Sequence, residues 1–423
     1  MTSFLVLCAW LLGAAPQTPV PGEVIGDIRV HGNHITADVE VIRLSGLTKG
    51  ASVTAETVAR AEQQLKSSGK FDDVQVLKRF ASIEDPTQIL IMLVVNEGPV
   101  QIEIPDMPDA SGVFRPKIVR RGIGKKLMYM PILDGEDGYA VRFGVRVAYV
   151  PSARSQTRLS FPFTWGGERR AGAEWEKGFA HGRLQFGGAL TSSKHPFYNQ
   201  TDARRQAWAR AEVSAMRMHF GSTASMQRVN FGGAVDQLKS VGVDATIDTR
   251  LDPLFPRNAV LITGKAERVR VSPDGGTARD PFVRTKVDGS VYLGLVRQVV
   301  LVARAVREDA SQAQPLYFKS MLGGMSNLRG FETASFAGDT LVAGTVELRS
   351  PISSPVSAGK VGVRIFADAG TVYDKGQRYK DQTLKRGYGA GLFITAAVFH
   401  LNLDVAHGKG AGTRVHFGGG FSF

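Results

Sequence analysis

The sequence predicts a mainly β protein: a 16-stranded antiparallel transmembrane β-barrel preceded by one small α/β domain. Three observations carry that expectation. From about residue 100 to the end, strand-length segments alternate apolar and polar residues at period 2, the pattern of strands with two different faces. The chain holds no apolar run long enough for a membrane-spanning helix. Helical stripes are confined to the first hundred or so residues.

The elements follow in order. Residues 4–15, FLVLCAWLLGAA, form the one substantial apolar run. Twelve residues are too few to cross a bilayer, and the run ends in small residues, so residues 1–15 read as a secretory signal peptide. No Lys or Arg precedes the run, and Pro16 follows the expected cut. Cys8 is the only cysteine, so a processed chain has no disulfide, thiol nucleophile or cysteine metal site.

Residues 24–33 alternate and then break at Gly32-Asn33, a turn pair. A short helix is expected from Thr36 or Asp38 through Leu44. A second begins at the cap Thr54, carries Thr57, Val58, Ala61 and Leu65 on one stripe, and ends at Gly69. Strands at 74–79 and 88–95 complete a β-α-α-β-β domain over residues 23–98. Its expected apolar face is Ile25, Ile28, Leu65, Val74, Ile89 and Leu93.

Residues 99–423 form the expected barrel. In 139–150, Tyr139, Val141, Phe143, Val145, Val147 and Tyr149 point one way, while Ala140, Arg142, Gly144, Arg146 and Ala148 point the other. Apolar outside, polar or small inside, with aromatics at the two ends, is what a barrel in lipid requires. About sixteen such segments are found, among them 210–220, 226–236, 241–250 and 259–271. The first is expected near 125–133, and the last, 412–423, is rich in glycine. His400 and His416 fall on lumen-facing positions, where a hydrated polar side chain is the ordinary case. The Pro-rich segment 248–260 reads as a rigid connection between strands. The longest connection, 308–338, precedes the last five strands.

Other chemistry is not written in the chain. RGIGKK (121–126) lacks the spacing of a phosphate loop, and neither HExxH nor GxSxG occurs. A net charge of +13 raises the question of nucleic acid, but the basic residues are dispersed over alternating strands. Arginines on a wet lumen account for it, and no nucleic acid, cofactor or metal is expected.

The long connection contains GGMSNLRGFETASFAGDT, followed by LVAGTVELRSPI and KVGVRIFADAGTVYD. With FADAG about 40 residues after LRGF and an aromatic end at Phe423, the chain resembles the BamA/TamA-type outer-membrane assembly superfamily, which includes the two-partner-secretion transporters. The resemblance implies that residues 23–98 are a POTRA domain in the periplasm and that 99–423 are a barrel of the bacterial surface antigen type. It implies that the loop folds into the lumen, where Arg329, within Arg329-Gly330-Phe331, pairs with Asp368; Glu347 is a candidate third member. Gly418, Phe421 and Phe423 fit the family's C-terminal targeting signal. The implied function is insertion or export of β-rich client proteins by strand pairing at the barrel seam and the POTRA edge, without enzyme chemistry. Its partners are outer-membrane lipids and unfolded β-barrel or secreted clients, with room for periplasmic accessory proteins. The alternative is a pore-forming barrel for small solutes or one dedicated secreted partner.

Overall fold

A computed structural model describes residues 22–33, 36–71, 73–81, 85, 87–97, 101–103, 117–119, 127–151, 156–179, 181–252, 255–353, 359–396 and 399–421. The expected signal peptide, Lys125 and Lys126 at the start of the expected first barrel strand, Pro253 and Phe423 lie outside them.

The N-terminal domain is a three-stranded sheet under two helices. β1 (Val24–His31) pairs in parallel with β3 (Gln88–Asn96), which pairs antiparallel with β2 (Asp73–Phe80). Between β1 and β2 lie α1 (Asp38–Ser45) and α2 (Ala55–Ser67). Thr54 caps α2 by accepting the Thr57 N–H at 3.1 Å, which satisfies one of the orphan donors of the first turn. The chain leaves α1 through Gly46 at φ 68°, a left-handed cap. Val58, Ala61 and Leu65 bring one stripe of α2 onto Ile25, Ile28, Val74, Ile89 and Leu93, forming a single apolar core. Leu90 and Met92, on the other face of β3, are buried as well.

The domain rests against one rim of the barrel, here the proximal rim. Arg79 and Asp252 form an ion pair at 3.0 Å with both side chains buried, and Leu251 packs against the domain core. The Arg257 guanidinium lies 5.3 Å from the Phe80 ring, and Asn96 donates to the Met128 sulfur at 3.2 Å. A short ladder of β4 (Gln101–Glu103) and β5 (Lys117–Val119) falls between the domain and the barrel in sequence.

Sixteen antiparallel strands close the barrel. The first eleven are β6 (Leu127–Glu136), β7 (Tyr139–Tyr149), β8 (Thr157–Gly166), β9 (Glu168–Phe179), β10 (Gly182–Lys194), β11 (Thr201–Ala215), β12 (Met218–Phe231), β13 (Ala234–Asp248), β14 (Ala259–Pro273), β15 (Phe282–Gly294) and β16 (Val300–Ala310). A loop, 311–339, contains the small hairpin β17 (Ser320–Leu322) and β18 (Phe336–Gly338). The last five strands are β19 (Thr340–Ser353), β20 (Gly359–Tyr373), β21 (Lys385–Ala396), β22 (Phe399–Gly408) and β23 (Gly412–Phe421). The loop thus joins the eleventh and twelfth barrel strands.

Exposed apolar residues occupy the outer positions of the ladder: Tyr139, Val141, Phe143, Trp165, Trp175 and Phe186 on one side, Leu392, Leu403, Val415 and Phe417 on the other. Charged and small residues alternate with them toward the lumen, as expected of strands between lipid and water.

Three expected strands are corrected. Segments 210–220 and 226–236 straddle turns, and 241–250 runs two residues past the end of its strand; the strands are β11, β12 and β13, each starting several residues earlier in sequence. The turn between β11 and β12 uses Met216 at φ 53°, and that between β12 and β13 uses Gly232 and Gly233 at φ 58° and 97°. Two-residue turns of this kind leave almost no polar gap in the sequence, so alternation runs across them.

The fragment 22–97 carries its own core and should fold alone. Urea unfolding followed by circular dichroism should show one cooperative transition. Leu65→Ala should lower its stability by about 2–5 kcal/mol, the cost of emptying a fully buried site.

Candidate functional site in the barrel lumen

The loop 311–339 is held at its base and at its tip. At the base, Gln314 bonds Asp339 twice, through its N–H at 2.8 Å and its amide at 3.1 Å, which draws the two ends of the loop together. Tyr317 donates to Asp236 at 2.6 Å and packs with Phe231, Phe282 and Phe318 at the distal rim. Beyond β17 the chain turns through Gly323 and Gly324 and runs into Leu328-Arg329-Gly330-Phe331, all buried.

Arg329 sits at the centre. Its Nε and Nη2 both donate to Asp368 at 2.8 Å, a bidentate contact, and its backbone N–H donates to the same carboxylate at 3.0 Å. Nη1 reaches Glu347 at 2.9 Å and Asp404 at 3.2 Å. Asp404 in turn takes two bonds from Arg364, both at 2.8 Å, and Glu347 takes one from Arg349 at 2.6 Å. The guanidinium carbon lies 3.3 Å from the centre of the Phe366 ring, a cation–π contact. Three arginines therefore face three carboxylates drawn from the loop, β19, β20 and β22. A buried charge is tolerable only when neutralised and hydrogen-bonded, and this set meets both conditions.

The neighbouring residues fix where the arginine stands. Gly330 has φ 87°, and a side chain there would strike the backbone of His407 and Gly408. Gly387 on β21 lies against the Arg329 carbonyl, where no Cβ fits. Phe331 is buried with Leu322, Leu328, Leu341 and Val306, anchoring the tip on apolar wall.

The structure thus brings Arg329, Asp368 and Glu347 together. Gly418 and Phe421 lie on the last strand, away from the arginine, with Gly418 next to the Met325 sulfur. Sequence reasoning missed Asp404, Arg364, Arg349 and Phe366. Each occupies a lumen position in the alternation, but only the strand register shows that they converge. His416 is corrected: it is fully buried rather than hydrated. Its Nε2 accepts the Gly330 N–H at 2.9 Å, so Nδ1 carries the proton and donates to Asp137 at 2.9 Å. Thr333 also bonds the Asp137 carbonyl. The loop tip consequently touches both β23 and the β6–β7 turn.

A closed sixteen-stranded barrel, a lumen loop pinned by a buried arginine, and a preceding β-α-α-β-β domain define a class of outer-membrane β-barrel. Two family models match: the Omp85 superfamily domain over residues 137–423 and the POTRA model, described as surface antigen variable number repeat, over 23–98. The chain belongs to the Omp85 superfamily, with one POTRA domain ahead of the barrel. Among solved structures it is similar to BamA from Haemophilus ducreyi lacking POTRA domains 1–3, at TM-score 0.60 and 14% identity, covering 95% of this chain and 85% of that one. It is also similar to CdiB from Escherichia coli, at TM-score 0.52 and 13% identity, covering 97% and 93%. At such identities the likeness is one of fold. No curated protein sequence matches the chain.

The hydrogen bonds make the cluster asymmetric, since Arg329 reaches all three carboxylates. Arg329→Ala leaves Asp368 without its bidentate partner and should expose the loop to protease while the barrel keeps its heat-modifiable migration on gels. Asp368→Ala leaves Arg329 bonded to Glu347 and Asp404, so its loop should be cut more slowly. The double variant should resemble Arg329→Ala, because the two residues act as one unit. Limited proteolysis of the purified proteins reads all three, and additive losses would show that they act independently.

Proposed function

We propose that this protein inserts or exports β-rich client proteins at the bacterial outer membrane by strand pairing, with no cofactor and no covalent step. In this reading the POTRA domain and proximal rim face the periplasm, and the loop-bearing distal rim faces the cell exterior. The client pairs first with the POTRA sheet and then with the barrel seam.

The observation that carries it is the seam. Among the described residues β23 meets β6 at Gly418–Glu136, Gly419–Gly135 and Gly420–Asp134, whereas every other neighbouring pair of barrel strands has a longer ladder. Residues 412–417 of β23 extend beyond the end of β6, and no ladder pair joins 127–133 of β6 to the described part of β23. The three partners on β23 are glycines, which add no cross-strand side-chain contact. A short ladder between poorly packed strands is the least costly place to part the wall, and it leaves an edge that a client strand can complete.

The POTRA sheet supports a particular edge. β1 is covered on its outer side by residues 50–53: Ile25 N–H bonds Ala51 at 2.9 Å, and Val53 N–H bonds Glu23 at 3.1 Å. β2 ends the sheet with no strand beyond it among the described residues, so it is the edge available to a client. The alternative, a standing solute pore, has less support, because the loop occupies the lumen and is tied to its wall at base and tip.

Locking the seam tests the proposal. Glu136→Cys and Gly418→Cys face each other in the ladder, and a side chain at 418 meets only the flexible end of Met325. Opposed residues of an antiparallel pair lie within disulfide range, and a Cys8→Ser background removes the one native cysteine. The oxidised protein in proteoliposomes should fail to assemble a β-barrel client, and reduction should restore assembly. Full activity in the oxidised state would rule out opening at this seam.

A further inference from the structure

The lumen and the outer wall treat arginine differently. In the lumen, Arg183 pairs with Glu212 at 2.9 Å and Arg210 with Asp244 at 2.5 Å. On the outward face of β11–β14 the ladder sets Arg205 directly opposite Arg228, and Lys239 directly opposite Arg270, all exposed. Arg268 stands on the same face two residues from Arg270. Arg228 has an ion pair with Asp274 at 2.8 Å, but no carboxylate of the described residues pairs with Arg205, Lys239, Arg268 or Arg270. Like charges directly opposed on one sheet face destabilise the pair, and two such pairs stand side by side with Asp274 as the one carboxylate that reaches any of them among the described residues.

Their depth is informative. All five lie within about five residues of the distal ends of strands 14–15 residues long, whereas about 9–11 residues suffice to cross the hydrocarbon. Nearer the proximal rim the same faces carry Ala207, Ala209, Val243 and Ile262, as a lipid-facing wall requires. The basic strip therefore sits where the distal leaflet's head groups begin. Arg205 also stands at the margin of a groove of about 380 Å³ on the same wall, formed where Ala171, Ala173 and Gly188 leave room between Phe163 and Leu190.

We propose that this strip is a binding site for a lipid whose head group carries two or more clustered phosphates, with an acyl chain along the groove beside Arg205. Guanidinium groups hold phosphate oxygens in pairs, and one multiply charged head group relieves both like-charge pairs at once. A lipid with one phosphate neutralises only one of them. The proposal rests on the membrane orientation given above but not on the seam.

The test uses the full-length protein in phosphatidylcholine nanodiscs containing either a diphosphoryl lipid A or phosphatidylglycerol. Lipid retained after detergent extraction is counted by native mass spectrometry, with no client present, so failure here leaves the seam proposal standing. The native protein should retain the diphosphoryl lipid about tenfold better than phosphatidylglycerol, equivalent to about 1.4 kcal/mol. The variant Arg205→Gln/Arg228→Gln/Lys239→Gln/Arg270→Gln should lose that preference while keeping heat-modifiable migration. A lumen variant, Arg183→Gln, should keep it. Equal retention of the two lipids by the native protein, or an undiminished preference in the fourfold variant, overturns the proposal.

Discussion

Backbone satisfaction in lipid governs this molecule. A peptide group facing hydrocarbon without a partner costs several kcal/mol, so a chain that spans with strands must close on itself. Fifteen of the sixteen neighbouring pairs close by longer ladders, and among the described residues the sixteenth, β23 to β6, is the shortest. The loop lies against that junction. Asp137 beside β6 gives its N–H to Phe417 at 2.7 Å, its carbonyl to Thr333 and its carboxylate to His416, whose other nitrogen holds Gly330. Polar contacts from the loop thus supplement hydrogen bonding where the wall itself supplies least. Seating of the loop and closure of the seam share the same residues.

Much of the fold was legible in the chain, because each of its rules has a short period. The two-residue alternation in 139–150 and 399–406 assigned inner and outer faces that the ladder reproduces. Thr54 and the Val58, Ala61, Leu65 stripe marked the second helix. Alternation failed where a turn needs only two residues, as at Gly232-Gly233, since nothing in the pattern then says where the chain reverses. The site was half legible. Arg329 and Asp368 lie in recognisable segments, but Asp404 is 75 residues from Arg329 and enters through the stagger of β22 against its neighbours. His416 looked like an ordinary wet histidine; its burial depends on the loop lying over it.

The same distinction between period and register explains the charge. A net +13 describes the whole chain and says nothing of which face bears it. The ladder divides it into two populations, arginines matched to carboxylates inside and a set on the outer wall of which Arg228 alone reaches a carboxylate among the described residues. Lumen pairs shape a wet interior; the outer set meets whatever surrounds the barrel.

The buried cluster around Arg329 also sets a clock. Freeing one member of a buried, hydrogen-bonded ion set costs on the order of 3–5 kcal/mol. At room temperature that places the loop outside its seat in between about one molecule in a hundred and one in several thousand. A lumen without the loop is then a rare condition of the protein.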